Sequence, residues 1–264
     1  MSDWRENLFI KRADLSVKII NQRWPITEKL VDAVTNKLEE YGIKGGYALD
    51  LCCGNGRISI YLAKKGFRVV GVDFSQDFLE DARKQAEAYG VSDRCSFVKG
   101  DVRSLASVLE GYEKGFDFVV NAWTSIGYTS IPDDESIFRQ ARGMSKDSAV
   151  LMILDTMHVG RILNPVPRNI FVDLGDTIML EQGKFDPLAS RQITHWNFYQ
   201  KKGRDLAFID ELDYNIHVYS SSELTTLLAK AGWKVEEIMG NLINGTHFSS
   251  ATGMNLIAKA IQVP

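Results

Sequence analysis

The spacing of apolar positions divides the chain into stretches of different character. Residues 2–42 read as helical: Leu30, Val31, Val34 and Leu38 fall at i, i+1, i+4 and i+8 and form one apolar stripe. Pro25 interrupts this region and suits the first turn of the second of two helices. From Tyr47 onward, short apolar runs alternate with helical patterns. Strands are expected at 47–51, 67–72, 95–99, 116–121 and 148–155, and helices at 57–65, 76–88, 102–110 and 134–143. Such alternation, with right-handed crossovers, builds an open, doubly wound parallel sheet covered by helices on both faces. Beyond Asp155 the rhythm changes to extended segments at 169–173, 177–184, 191–200 and 205–218, with Asp186-Pro187 and Lys202-Gly203 as turns. That pattern predicts an antiparallel β insertion over 164–219, acting as a cap or lid after the fifth strand. Ser220 to Glu223 reads as a capping box opening a helix that ends at Gly232, and strands at 234–240 and 253–260 bring the main sheet to seven. The predicted fold is therefore α/β, with a main domain of residues 1–163 and 220–264 that includes the N-terminal helices.

The most informative segment is Asp50-Leu51-Cys52-Cys53-Gly54-Asn55-Gly56, where a strand breaks into a glycine loop and then a helix from Arg57 to Lys65 that reads as amphipathic. Glycine lets the backbone approach a ligand closely, and the helix start presents free amides to it. The next strand ends in Asp73, where a carboxylate accepts hydrogen bonds from ribose hydroxyls. Either glycine alone would be an ordinary turn; with Asp50, Asp73 and Asp101 each at a strand end, the pattern points to a nucleoside. A dinucleotide fingerprint laid on Gly54 to Ser59 puts Ser59 where a third glycine should allow close helix packing, so the fit is poor. Asp50 would repel a pyrophosphate but suits a ligand with a cationic amino group. S-adenosylmethionine has a ribose, an adenine, an amino acid head and no phosphate.

Residues 48–77, ALDLCCGNGRISIYLAKKGFRVVGVDFSQD, resemble the cofactor half of a class I S-adenosylmethionine-dependent methyltransferase, of the small-molecule type similar to glycine N-methyltransferase-like enzymes. The resemblance implies a Rossmann-like sheet with its final strand pair antiparallel, and S-adenosylhomocysteine as product. It also implies that Asp50 faces the methionine end, that Gly54 and Gly56 line the cofactor, that Asp73 binds the ribose hydroxyls and that Phe74 packs near the adenine. Cys95 to Val102 matches the family's third strand and acid, so Asp101 would accept from the adenine amino group with Val102 beside it. Asn121 closes the fourth strand at the same edge. Cys52 stands where the family pattern acid-x-Gly-x-Gly-x-Gly has its first glycine, a departure at a cofactor-lining position.

The segment Asn121 to Tyr128 is where an acceptor should meet the methyl group, with Trp123 and Tyr128 as candidate walls and Trp196 of the insertion as a third. It lacks both the Asn/Asp-Pro-Pro-aromatic pattern of base and amide methyltransferases and a cysteine able to attack a pyrimidine, which disfavours base methylation. Methyl transfer needs a base only when the acceptor is protonated. Candidates for that task are His195, in mid-strand of the insertion; His217, where relatives commonly carry Arg-x-Tyr; and Tyr219. The nucleophile class, N, O or C, is left open. Two other readings stand beside the enzyme: a non-catalytic S-adenosylmethionine-binding protein, and an NAD(P)-dependent oxidoreductase, against which Ser59 and Asp50 argue.

Composition narrows the setting. The 264 residues are 45% hydrophobic with a net charge of −3, enough for a full core and without a general drive toward nucleic acid. Three cysteines, two adjacent, make no disulfide framework and fit a reducing cytoplasm. Nothing near Cys52 and Cys53 supplies further metal ligands, so no metal is expected. No run approaches the about 20 apolar residues of a membrane span. The expected partners are a small-molecule acceptor, no nucleic acid, no membrane, and a second copy of the chain if the aromatic strands of the insertion self-associate.

Overall fold

The computed structural model describes residues 3–112, 115–163 and 169–261; residues 164–168, the expected start of the insertion, and 1–2 lie outside the described residues. The chain opens with α1 (Trp4–Glu6), a π-helical turn (Asn7–Lys11), α2 (Ala13–Asn21) and α3 (Trp24–Glu40). Pro25 falls in the first turn of α3, where a missing amide costs nothing, and the apolar stripe Leu30, Val31, Val34 and Leu38 is buried.

β1 (Gly46–Leu51), β2 (Phe67–Asp73), β3 (Cys95–Lys99), β4 (Phe116–Ala122) and β5 (Ser145–Thr156) pair in parallel in the order β5-β4-β1-β2-β3. Helices cover both faces, which is why these strands are apolar on both sides. Ala48 enters the core beneath α3, α4 (Arg57–Lys64) and α5 (Gln76–Ala88). Its neighbours Leu49 and Leu51 enter a second core with α6 (Leu105–Val108), α7 (Ile131–Gly143) and, after α8 (Val159–Leu163), α9 (Ser221–Lys230). The expected helix 102–110 is reduced to a 3-10 turn at Val102–Ser104 and the short α6, because Asp101 takes the Arg103 amide and Ser104 leaves helical angles. α7 starts earlier than the expected 134, since Ser130 and Asp133 cap it reciprocally and Pro132 is tolerated in a first turn. α4, expected to be amphipathic, is buried from Arg57 through Ala63 between its neighbours.

β6 (Asn169–Asp173), β7 (Thr177–Asp186), β8 (Arg191–Lys202) and β9 (Asp205–His217) form a separate four-stranded antiparallel meander. β10 (Trp233–Met239) and β11 (Met254–Ala260) then complete the seven-stranded sheet, β11 lying antiparallel between β5 and β10. The N-terminal helices were expected to belong with the main sheet. The first of them touch both sheets' layers: Phe9 meets Phe74 and Phe78, while Leu8 and Leu15 share a third core with Met179, Phe198 and Leu212, and Lys18 pairs with Asp176 at 2.6 Å.

Candidate active site

The site begins where β1 ends. Cys52, Gly54 and Gly56 all have positive φ, at 57°, 55° and 75°. Cys52 thus adopts the left-handed angle of the glycine it replaces, a conformation costing an L-residue about 1–2 kcal/mol. Cys53 N donates to Val72 O at 3.0 Å, joining the loop to the end of β2. Asn55 Nδ2 donates to Asn21 at 2.9 Å and Asp81 at 3.1 Å, tying the loop to α2 and α5. Gly54 N donates to Asp73 Oδ2 and Ser75 N to Asp73 Oδ1, both at 2.9 Å.

Three carboxylates sit at or just past three strand ends, two of them pushed up by burial and one held down by a neighbouring cation. Burial pushes the Asp50 carboxyl up to about 6, against the Ser59 hydroxyl that donates to it at 2.6 Å. Ser59, the residue that spoils a dinucleotide fingerprint, therefore holds the acid that discourages phosphate. Burial likewise pushes Asp73 up to about 6, opposed by the backbone amides of Ser75 and Gly54. Asp101 is held below the usual carboxylate range by Arg103, whose Nε lies 3.0 Å away.

These acids open onto one cavity of about 960 Å³. Its floor is the edge of the parallel sheet, where Asp50, Cys52, Gly54, Asp73, Phe74, Asp101 and Val102 all reach it. Its walls include Trp123 and Tyr128 from the loop after β4, and Trp196 from β8. The N-terminal segment closes another side, with Phe9 stacked on Tyr128 at 5.8 Å and edge-on to Phe74 at 5.9 Å.

Five of the expected site residues lie outside this lining. A Cβ on Gly56 would meet Phe97 at 2.8 Å and Ala82 at 3.0 Å, so this glycine faces the packed side of the loop. Asn121 is buried beneath the site, donating to Leu51 O and Ser125 O. His195 points away from the cavity, because β8 turns Gln192, Thr194 and Trp196 inward and the pleat sends the residue between them out; it meets Asp213 at 3.0 Å. His217 packs edge-on against Tyr219 at 4.5 Å, and burial lowers its pKa. Tyr219 is buried and donates to Asp134 at 2.6 Å; Asp134, not Tyr219, reaches the cavity.

The structure also brings in residues that the sequence did not single out. Arg57, first in α4 and 7% exposed, lines the cavity with only the Thr27 hydroxyl, at 3.2 Å, as described hydrogen-bond partner. Burial lowers its pKa to about 10, with Asp50 and Asp155 opposing the shift. Arg23 lies over the Trp123 ring at 4.9 Å. From the antiparallel sheet come Glu181, Gln192 and Thr194. A charged residue opening the helix directly after the glycine loop was the available signal for Arg57. Among the described residues no group of three or more His, Cys, Asp or Glu is placed to hold a metal ion, and no helix is long and apolar enough to cross a membrane.

The donors and acceptors fit S-adenosylmethionine: Asp73 retains lone pairs after its amide bonds, Asp50 offers negative charge to an amino group, and Arg57 is a buried cation with no carboxylate partner at salt-bridge distance among the described residues. A family model described as "Methyltransferase domain" matches residues 48–148. The "Putative methyltransferase YqeM" of Bacillus subtilis (strain 168) is 27% identical over 199 residues, 73% of this chain and 75% of that protein. The crystal structure of a S-adenosylmethionine-dependent methyltransferase from Clostridium acetobutylicum ATCC 824 superposes with TM-score 0.74 at 17% identity, covering 89% of this chain and 92% of that one. CalS10, an amino pentose methyltransferase from Micromonospora echinaspora solved with S-adenosylmethionine bound, gives TM-score 0.72 at 13% identity over 92% of this chain and 96% of its own. At such identities these structures establish a common fold. Some shorter matches, over 31% and 29% of the chain, are to RNA methyltransferases, so relatedness does not sustain the expected exclusion of nucleic acid.

Proposed function

We propose that this class I S-adenosylmethionine-dependent methyltransferase, which yields S-adenosylhomocysteine, acts on a small molecule held between its strand ends and the inner face of its antiparallel sheet. One observation carries the reading: a single cavity runs from Asp50 and Asp73 to Glu181, Gln192 and Trp196. One part of it suits the donor, and the remainder is roofed by residues the parallel sheet does not supply.

In this proposal Asp73 accepts from the ribose hydroxyls, and Gly54 brings its backbone against the same ligand. Asp101, Phe74 and Val102 surround the adenine. Asp50 attracts the amino group, and Arg57 the carboxylate, of the methionine end. When bound, S-adenosylmethionine supplies a methyl group already activated by its sulfonium charge. The chain's task is then to align the acceptor and exclude water. Trp123, Tyr128 and Trp196 serve that task as walls. Tyr219 acts at one remove, fixing Asp134 by its 2.6 Å hydrogen bond.

An RNA acceptor is the second reading, supported by the names of some relatives. The net charge of −3 and the absence of a basic cluster in the sequence favour the small molecule. The proposal extends to self-association through the outer face of the antiparallel sheet, where Phe171, Leu180 and Ile193 are exposed, and to a reducing cytoplasm, in keeping with three free cysteines. Incubation with methyl-labelled S-adenosylmethionine and a cell extract is the test. Label in small molecules is expected; label recovered only in RNA or protein would overturn the reading.

A further inference from the structure

Resting on that reading, we propose that the acceptor is an amine that enters as an ammonium and is recognised by Glu181 and Gln192 on the inner face of the antiparallel sheet. Gln192, Thr194 and Trp196 alternate along β8 and all face the cavity, and Glu181 on β7 is the register partner of Trp196. These side chains form one wall.

That wall offers acceptors and negative charge. Gln192 is 6% exposed, and its Oε1 is buried with no hydrogen-bond partner among the described residues. Its amide orientation is set by chemistry, because the other end lies 3.3 Å from Ile193 O, which can only accept and so requires the NH2 group. Glu181 accepts from the Trp196 indole at 2.8 Å. The indole supplies one donor to a carboxylate with several acceptor positions, so the carboxylate has capacity for a ligand. Trp196 stacks on Tyr214 at 5.4 Å, and Tyr214 lies edge-on to Tyr128 at 6.1 Å, so aromatic surface continues along the cavity wall from the ring that binds the carboxylate. Buried acceptors without donors are costly, and a ligand offering N–H groups and positive charge satisfies them while using the aromatic faces. A carboxylic acid acceptor would meet like charge, and an alcohol would bring a single donor and no charge.

The same residues account for the proton. An ammonium has no lone pair, so one N–H proton passes to the Glu181 carboxylate. The nitrogen lone pair then attacks the methyl carbon; the C–N bond forms as the C–S bond breaks, and the C–S electron pair stays on sulfur as a neutral thioether. The product nitrogen carries the positive charge, and Glu181 returns its proton to water when the product leaves. Burial raises the Glu181 pKa, which favours its taking the proton.

A matched panel of amines, alcohols and carboxylic acids, each offered with methyl-labelled S-adenosylmethionine, tests this. Incorporation is expected into amines only. Glu181→Gln, which keeps size and shape, should reduce it at least tenfold. Calorimetry on the protein loaded with S-adenosylhomocysteine should show panel amines binding at least tenfold more weakly to Glu181→Gln and to Gln192→Leu than to the native chain. S-adenosylhomocysteine affinity should be unchanged in both variants, which also reports that they are folded. Methylation of alcohols or acids instead of amines, or native amine affinity in Glu181→Gln, would overturn the proposal. Failure of the native chain to bind S-adenosylhomocysteine would strike the methyltransferase reading itself, a separate result.

Discussion

The Gly54 amide donates to the Asp73 carboxylate at 2.9 Å, so the glycine loop after β1 and the acid ending β2 form one rigid unit. With Ser75 N on its other oxygen, Asp73 is aimed before any ligand arrives. Asp73→Ala should weaken S-adenosylhomocysteine binding by about a hundredfold or more, since two charge-assisted hydrogen bonds at roughly 1.5–3 kcal/mol each are lost. Asp73→Asn keeps the shape and should still lose at least about tenfold by the same reasoning. Calorimetry on the folded variants decides it, and native affinity in either would remove Asp73 from the ribose site.

Binding should also depend on pH. Burial raises Asp50 and Asp73 to about 6 in the folded chain, against an ordinary value of about 3.9. As cofactor ligands both act ionised, so affinity falls as pH drops through 6, by about tenfold at pH 5 for each carboxylate engaged. In the free protein the sign is opposite. Their raised folded pKa contributes stability that is fully present below about 3.9 and lost as pH rises through about 6. The rise in melting temperature caused by S-adenosylhomocysteine should therefore shrink from about pH 7.5 to about pH 5. A shift that is flat across that window counts against both assignments.

Gly54 and Gly56 should separate binding from stability. A Cβ on Gly56 strikes Phe97 at 2.8 Å, away from the cavity, at a φ of 75°. Gly56→Ala should cost about 2–4 kcal/mol, combining strain with overpacking. A Cβ on Gly54 meets only Ile20, at 3.6 Å, on the cavity side. Gly54→Ala should cost about 1–2 kcal/mol from its left-handed φ and should weaken cofactor binding more than Gly56→Ala does. Denaturant unfolding paired with calorimetry distinguishes the two; equal binding losses would refute the difference in facing.

Cys52 holds a φ of 57° without being glycine. Cys52→Gly should relieve about 1–2 kcal/mol of strain, offset by about 1 kcal/mol of added freedom in the unfolded chain, leaving stability within about 1 kcal/mol of native. Cys52→Val should destabilise markedly, because a β-branched side chain tolerates this φ poorly. If valine is neutral by chemical denaturation, the left-handed angle is not required.

Arg57 gives a test based on ligand chemistry. Arg57→Met keeps the aliphatic bulk and removes the charge, so S-adenosylhomocysteine should bind about tenfold or more weakly. Methylthioadenosine, which has no carboxylate, should bind the variant as it binds the native chain. Parallel losses for both ligands would mean that Arg57 supports the fold instead of the methionine end. His195→Ala, on the outer face, should leave methyl transfer unchanged.

Local pattern was enough to determine the parallel sheet, the glycine loop and Asp50, Asp73 and Asp101 at the strand ends. Those features arise from apolar spacing and from residues whose place follows from their immediate neighbours in sequence, such as Gly54 in the loop after β1 and Asp73 at the end of β2. Tertiary structure decided the rest. Along β8, His195 and Trp196 carry equal chemical promise, and only the side on which Leu8, Leu15 and the cavity lie makes Trp196 inward and His195 outward. A strand with polar and apolar residues on both faces has no phase of its own, because covering one face sets the pleat. The same covering brought α1 and α2 beneath the antiparallel sheet and turned Gln192 and Glu181 toward the cavity. Arg57 became a cavity residue because α3 and α5 enclose α4 on its other sides, an arrangement that depends on contacts between segments far apart in the chain.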